Sequence, residues 1–266
     1  MKRLESQPLR LIALAILLAC CNAYAEDDSI VTDRPDFVES SDVVGRGKMQ
    51  IETSISMENN KDSGVEDRTY TTPTLIRAGL TDTLELRMET DGHVVQHTTI
   101  GGVTETESGY SDIALGVKWH FTDGDARTHS PSTAWLLHVD LDTGTRQFSG
   151  NGIRPSLRFV AEWEVSDVIA CGVMPGVMYD NNDRHHFISG ILAGTCGKQF
   201  TPALRGFVEL AGQQLASKDD GGNIVTADTG VTWLLSKSVQ LDASVQRGLT
   251  NESPDWNVAL GFSMKF

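Results

Sequence analysis

The chain ends W-N-V-A-L-G-F-S-M-K-F, Trp256 to Phe266. Trp256, Val258, Leu260, Phe262, Met264 and Phe266 share one face; Asn257, Ala259, Gly261, Ser263 and Lys265 share the other. Alternation with period 2 specifies a strand with one apolar face. Eleven residues is also the length that crosses a bilayer when a strand is tilted. In water, such a face aggregates unless something apolar covers it. A core strand of a soluble sandwich would satisfy the same pattern, so its recurrence elsewhere decides the fold.

It recurs. Met49, Ile51, Thr53, Ile55 and Met57 oppose Gln50, Glu52, Ser54 and Ser56, and Thr74, Ile76, Ala78 and Leu80 oppose Leu75, Arg77 and Gly79. After a turn at Thr81–Thr83, Leu84, Leu86 and Met88 oppose Glu85, Arg87 and Glu89. Ile113 to Phe121, Trp135 to Leu141 and Leu157 to Trp163 alternate in the same way, the last two carrying His138 and Asp140, then Arg158 and Glu162, on their polar faces. Segments near 168–179, 186–198, 204–215, 228–235 and 239–246 continue the series. With the closing stretch the count is twelve. Connections at 58–69, 92–109, 143–152, 180–185, 216–223 and 248–255 read as loops rich in Gly, Asn, Asp and Ser. Those at 81–83, 165–167, 199–203 and 236–238 are short, with 122–132 the long member of that set. An even strand number with short turns at one end and long loops at the other predicts an all-β, transmembrane, antiparallel up-and-down barrel. Strands of nine to eleven residues exceed the five or six usual in a sandwich. A soluble barrel with apolar faces turned inward has the same alternation and opposite polarity.

Residues 1–25 have the form of a signal peptide: Lys2, Arg3 and Arg10, an apolar run from Leu11 to Cys21, and the small-x-small site Ala23-Tyr24-Ala25. Leu17-Leu18-Ala19-Cys20 offers a competing lipoprotein box. Cleavage after Ala25 removes three bases and one acid from 22 and 36, leaving 19 against 35, a balance of −16. So acidic a chain is unsuited to nucleic acid. A mean hydropathy of −0.20 fits a membrane protein only if half of each strand faces lipid. Residues 26–46 lack periodicity and form an irregular lead-in, so the barrel proper is 47–266.

If the apolar faces meet lipid, the lumen receives Glu52, Arg77, Glu85, Arg87, Glu89, Asp112, Lys118, Asp140, Arg158, Glu162, Arg205, Glu209, Asp228 and Asp242. Turning an Arg or Lys to the hydrocarbon instead costs about 2–4 kcal/mol at mid-depth. Two functions fit a wall of mixed charge: a conduit that selects solutes, or a packed interior too narrow to conduct. No G-x-S-x-G or H-E-x-x-H is present, nothing fixes a serine beside His138, and no Cys/His cluster suits a metal, so neither catalysis nor a cofactor is expected. A tight turn at Asp183-Arg184 would pair 182 with 185 and bring Cys171 opposite Cys196, giving a candidate disulfide in an oxidising compartment. Two separate small apolar residues would fit those positions as well.

The segments T-D-R-P-D (Thr32–Asp36), E-S-S-D-V-V-G-R-G-K-M-Q-I-E (Glu39–Glu52), T-P-T-L-I-R-A-G-L-T-D-T-L-E-L-R (Thr72–Arg87), S-D-I-A-L-G-V-K-W (Ser111–Trp119) and Q-L-D-A-S-V-Q-R-G-L-T (Gln240–Thr250), followed by S-P-D-W, carry a family resemblance. The chain resembles the outer-membrane transporter family named for the meta-pathway of phenol degradation. L-D-T-G (Leu141–Gly144) departs from that family, which carries a proline before Thr-Gly. The resemblance implies an outer-membrane channel for passive uptake of small solutes, hydrophobic or aromatic ones among them, with no catalytic residues. A lipid-modifying enzyme and a structural or adhesive barrel are the alternatives. Residues 30–46 are expected to fold into the periplasmic mouth as a plug carrying Asp33, Arg34 and Asp36, with Arg34 and Asp36 pairing to wall charges. A carboxyl-terminal Phe266 resembles the signal read by the barrel-assembly machinery.

Overall fold

The computed structural model describes residues 29–150, 152–182 and 185–266. The expected signal peptide at 1–25, the first lead-in residues and the Asp183-Arg184 turn lie outside the described residues.

The chain forms fifteen strand segments: β1 (Met49–Asp62), β2 (Val65–Thr71), β3 (Thr74–Gly79), β4 (Leu84–Thr90), β5 (His93–Ile100), β6 (Val103–Tyr110), β7 (Ile113–Thr122), β8 (Ser132–Leu141), β9 (Arg154–Ser166), β10 (Ile169–Asn181), β11 (His186–Thr201), β12 (Leu204–Leu215), β13 (Asn223–Ser236), β14 (Val239–Gly248) and β15 (Trp256–Lys265). Three pairs are single strands with a bend, because β3 and β2 both pair with β1, β4 and β5 pair with β3 and β2, and β7 and β6 pair with β4 and β5. The result is twelve antiparallel strands, closed by β1 against β15 in the register Gln50↔Lys265 to Asn59↔Trp256.

The bends share a cause. Pro73 has no N–H to give the ladder, and Gly92 takes φ +68. Thr72 N donates to Asp91 O at 2.9 Å and Ser111 N to Gly92 O at 3.0 Å, so the bend passes across three strands. Beyond it, β2, β5, β6 and the end of β1 form a raised wall, its hairpins turned by Ser63-Gly64 and Gly101-Gly102 with positive φ at all four. Residues 58–69 and 92–109 are therefore strands, not the loops their composition predicted. Thr104-Glu105-Thr106-Glu107-Ser108 is polar on both faces because both faces meet water, and hydrophobic periodicity cannot mark such a strand.

The apolar face is the outer one. Ile55, Leu192, Val208 and Leu260 are more than half exposed, whereas Gln50, Glu52, Arg77, Glu85 and Lys118 are fully buried inside. This is the polarity of a membrane barrel, and it excludes the soluble barrel with an apolar cavity. Trp119 stacks edge-on to Phe121 at 5.4 Å, and Trp135 lies 4.8 Å from Phe159, grouping outward aromatics near the short-turn end. Both ends of the barrel sequence meet there: Phe266 N donates to Met49 O at 2.8 Å.

Candidate functional site

An irregular segment inside a barrel must find acceptors for its own amides, since no ladder supplies them. Residues 29–48 find them on the wall. The segment enters beside β14 and β1, where Ile30 N donates to Lys237 O, Gln50 Nε2 to Val31 O and Gln240 Nε2 to Thr32 Oγ1. Glu52 then accepts from the amides of Asp33 and Arg34, and Glu209, across the lumen, from those of Phe37 and Val38. Glu162 accepts from Ser41 N and Oγ, and Glu85 from Val44 N. Four wall glutamates thus hold one segment by its backbone as it circles the lumen.

Side chains add a second layer of contact. Asp33 receives Lys118 Nζ at 2.7 and 2.8 Å, Arg87 Nη1 at 2.5 Å and Ser40 N at 2.9 Å, with Arg77 Nη1 at 3.4 Å. Arg77 also reaches Glu85 at 2.9 Å and Glu52 at 3.1 Å; Arg87 reaches Glu85 at 2.9 Å and Glu39 at 2.6 Å. Glu39 is bridged further to Arg158 at 2.9 Å, and Asp36 to Arg205 at 2.9 Å. Asp33 is the carboxylate that Lys118 pairs with; its other acceptors are the carbonyls of Ser40 and Asp42. On the far wall the contact is apolar, Phe37 and Val38 packing against Leu136, Val160, Met174, Ala193 and Ala211.

Above this segment the lumen opens into a cavity of about 860 Å³. Asp33 to Phe37 form its floor, and its walls carry Glu58, Glu89, Asp91, Asp112, Asp140, Asp228 and Glu252 against Arg87, Arg154 and Arg158. Asp112 sits at the bend between β6 and β7 and gathers the 143–150 loop, accepting from Thr143 N, Gly144 N and Gly150 N at 2.8–3.1 Å and from Arg154 at 3.2 Å. Burial pushes its carboxyl up. The amides of Gly150 and Gly144, the Ser149 hydroxyl and the Thr143 amide outweigh that and hold it below its ordinary value.

The wall residues named from the sequence fall into separate groups. Glu52, Arg77, Glu85, Arg87 and Lys118 surround Asp33. Arg158, Glu162, Arg205 and Glu209 hold Glu39, Ser41, Asp36 and the Phe37–Val38 amides. Asp112, Asp140, Asp228 and Glu89 face the cavity. Asp242 is buried with neither carboxylate oxygen hydrogen-bonded. Arg34 differs from expectation, because its guanidinium donates to the Ser54 hydroxyl at 2.7 Å and not to a wall carboxylate. His138 fits over Gly116, where a Cβ would collide with the ring; it accepts from Arg87 Nε at 3.1 Å and lies 3.5 Å from Glu89. It therefore orients Arg87. The apolar patch is not legible in the alternation, which puts Leu136 on the face of His138 and Asp140 but does not say that it and Met174 pack against Val38 and Phe37. Cys171 and Cys196 face each other between β10 and β11, Cα–Cα 4.1 Å, and are joined on the outward face. No group of three or more His, Cys, Asp or Glu side chains suited to a metal ion occurs among the described residues.

A closed twelve-stranded membrane barrel with a segment of its own chain tied across the lumen defines the class. The chain belongs to the family described as “Putative MetA-pathway of phenol degradation”, which matches residues 32–266. Its fold is similar to the crystal structure of the COG4313 outer membrane channel from Pseudomonas putida F1, at 12% identity and a TM-score of 0.63, covering 92% of this chain and 100% of that one. It is also similar to the KdgM porin in complex with disordered oligogalacturonate (10% identity, TM-score 0.53, 82% and 99% covered) and to the NanC porin (8%, 0.52, 82% and 100%). No curated protein matches the chain in sequence.

Proposed function

We propose that this protein is an outer-membrane channel for passive passage of small solutes, hydrophobic or aromatic ones among them, and that residues 30–46 are its plug. The observation that carries the reading is the cavity of about 860 Å³ floored by Asp33 to Phe37. A lumen filled only to hold the barrel up has no need of a vestibule at one end and a segment held by wall carboxylates at the other. The family description supports a link to aromatic degradation, and the COG4313 neighbour is an outer membrane channel. In this reading the charged wall residues have two tasks: those around Asp33 seat the plug, and those around the cavity meet the solute. Lipid surrounds the outer face, and the barrel-assembly machinery inserts the chain after a signal peptide directs it outward.

The test is conductance in planar bilayers, with liposome swelling for uncharged solutes, comparing the intact chain with one lacking residues 30–46. Deletion should raise single-channel conductance. Equal conductance from the two proteins, both shown folded by heat-modifiable electrophoretic mobility, would refute the plug. Absence of any solute passage from either would refute the channel.

A further inference from the structure

Most inward carboxylates of this barrel have donors, but Asp242 on β14 has none among the described residues. It is 6% exposed, and both of its oxygens lack a hydrogen-bond partner. Its carboxylate lies directly over Gly261, where an added Cβ would overlap both oxygens. By contrast, Glu52, Glu85, Glu209 and Asp33 each accept from plug amides or buried cations. A buried carboxylate left without a partner costs several kcal/mol as a charge; it keeps that charge only where a cation meets it and otherwise takes up a proton.

The surroundings say what that partner is. The register sets Asp242 against Gly261 and Gly261 against Ser54; one step along the strands, Gln240, Ser263 and Glu52 face one another. Ser263 Oγ and Gln50 Oε1 are also buried and unpartnered. The amide and carboxylate oxygens of this set only accept, and Arg34 Nε, buried and unpartnered as well, is its one donor besides the serine hydroxyl. The charged groups acting on Asp242 are Arg34, Glu52 and Asp36; of these, Arg34 is turned to Ser54, Glu52 to Arg77 and the Asp33 and Arg34 amides, and Asp36 to Arg205. On the opposite wall the plug is packed by large side chains such as Lys118, Leu136 and Met174. Here the inward residues are Ser54, Ser56, Ala259, Gly261 and Ser263, with Ser56 and Ala259 also lining the vestibule.

We propose that Asp242 is a cation station in the lumen, between the Arg34–Asp36 turn of the plug and the small-residue wall of β15 and β1. Its occupant is a monovalent cation or the ammonium group of a small organic cation, and it makes the channel cation-selective. The acid excess of the vestibule acts in the same direction, because a low-dielectric wall of one sign concentrates counter-ions at its mouth. The inference rests on the channel reading and adds a sign and a residue to it.

The test is the potassium-to-chloride permeability ratio in planar bilayers under a potassium chloride gradient, repeated with tetramethylammonium as the cation. The wild-type ratio should exceed one, and Asp242→Asn should lower it by at least about threefold. Gly261→Ala, which displaces the carboxylate without removing it, should lower it too and decides the matter if Asp242→Asn does not fold. Asp125→Asn, on an exposed turn outside the strands, should leave the ratio unchanged. An anion-selective wild type overturns the proposal. So does a ratio unmoved by Asp242→Asn and Gly261→Ala, the result expected if water alone occupies the site. No conductance from the wild type or the plug deletion would sink the channel reading itself, an outcome separate from conductance without selectivity.

Discussion

Replacing Asp33 by Asn isolates the charge that seats the plug from the volume that fills it. The carboxylate accepts from Lys118, Arg87 and Ser40 and lies 3.4 Å from Arg77. Arg77 and Arg87 keep Glu52, Glu85 and Glu39 after the change, but Lys118 keeps only the carbonyls of Ser40 and Asp42. Removing one partner of a buried pair costs about 3–5 kcal/mol. We take the lower end, since an undocked plug leaves Lys118 in a lumen that water can enter. Near 3 kcal/mol, the ratio of docked to undocked plug falls roughly a hundredfold, at 1.36 kcal/mol per decade. The barrel ladder is untouched, so heat-modifiable mobility should stay normal while the open fraction in single-channel records rises steeply. Lys118→Met alone should open the channel less, because Asp33 then retains both arginines. Combined with Asp33→Asn, it should recover most of the loss, since no lysine is left unpaired. Two results would refute the reasoning: an unchanged open fraction in Asp33→Asn, or a double variant as open as the two single effects added together.

Three further expectations can be checked separately. Cys171 and Cys196 should titrate as no free thiols in the unreduced, denatured protein, and replacing both by Ser should lower unfolding stability by up to about 3.5 kcal/mol for a loop of this length, read from the urea midpoint; two free thiols would refute the bridge. Asp112 has its carboxyl held below its ordinary value, so its hold on the 143–150 loop is complete above the unfolded carboxylate range and is lost as pH falls through the lowered value. Hydrogen exchange in that loop should therefore stay slow at mildly acid pH in the wild type and be fast throughout in Asp112→Ala; equal rates in the two would contradict it. Deleting Phe266 removes the bond to Met49 O at the seam and should reduce membrane levels more than it reduces the stability of barrels already formed; wild-type levels would refute the assembly role.

The closing strand, Trp256 to Phe266, made the fold legible because lipid on one side and a polar lumen on the other impose a period of 2 that no turn chemistry disguises. The same physics hid the raised wall. Past the lipid both faces of β5 and β6 are wet, so His93–Tyr110 reads as loop although it is mostly ladder. Within the site, the sequence could assign charges to the inner wall but not say which charge meets which. Asp33 and Lys118 are 85 residues apart, and only the path of the plug brings them together. The motifs quoted as family marks meet in space for reasons their spacing does not contain: Ser111-Asp112 holds the Thr143-Gly144 turn, and Ser253 hydrogen-bonds Val225 beside Thr250. The largest omission was the use of wall glutamates as acceptors for backbone amides. A glutamate that accepts from N–H groups and one that pairs with arginine are the same letter.

That use of the glutamates bears on whether the plug can leave. Its charged contacts look strong, but each was made by stripping water from both partners, and an undocked plug in a wet lumen recovers that water. Their net worth is therefore well below what their distances suggest. The apolar contact behaves differently. Val38, buried against Leu136, Val160 and Met174, gains about 1.5–3 kcal/mol and half-buried Phe37 a part of that, and nothing in an open, wet lumen returns it. The two halves of the plug accordingly do different work. The Phe37–Val38 turn supplies most of the net affinity for the wall, and the Asp33 cluster supplies register, because a misplaced carboxylate would leave Lys118 without a carboxylate and take one partner each from Arg77 and Arg87. A segment held in this way docks in one position and yet is not held fast. In the channel proposed above, that combination suits a gate and not a permanent strut.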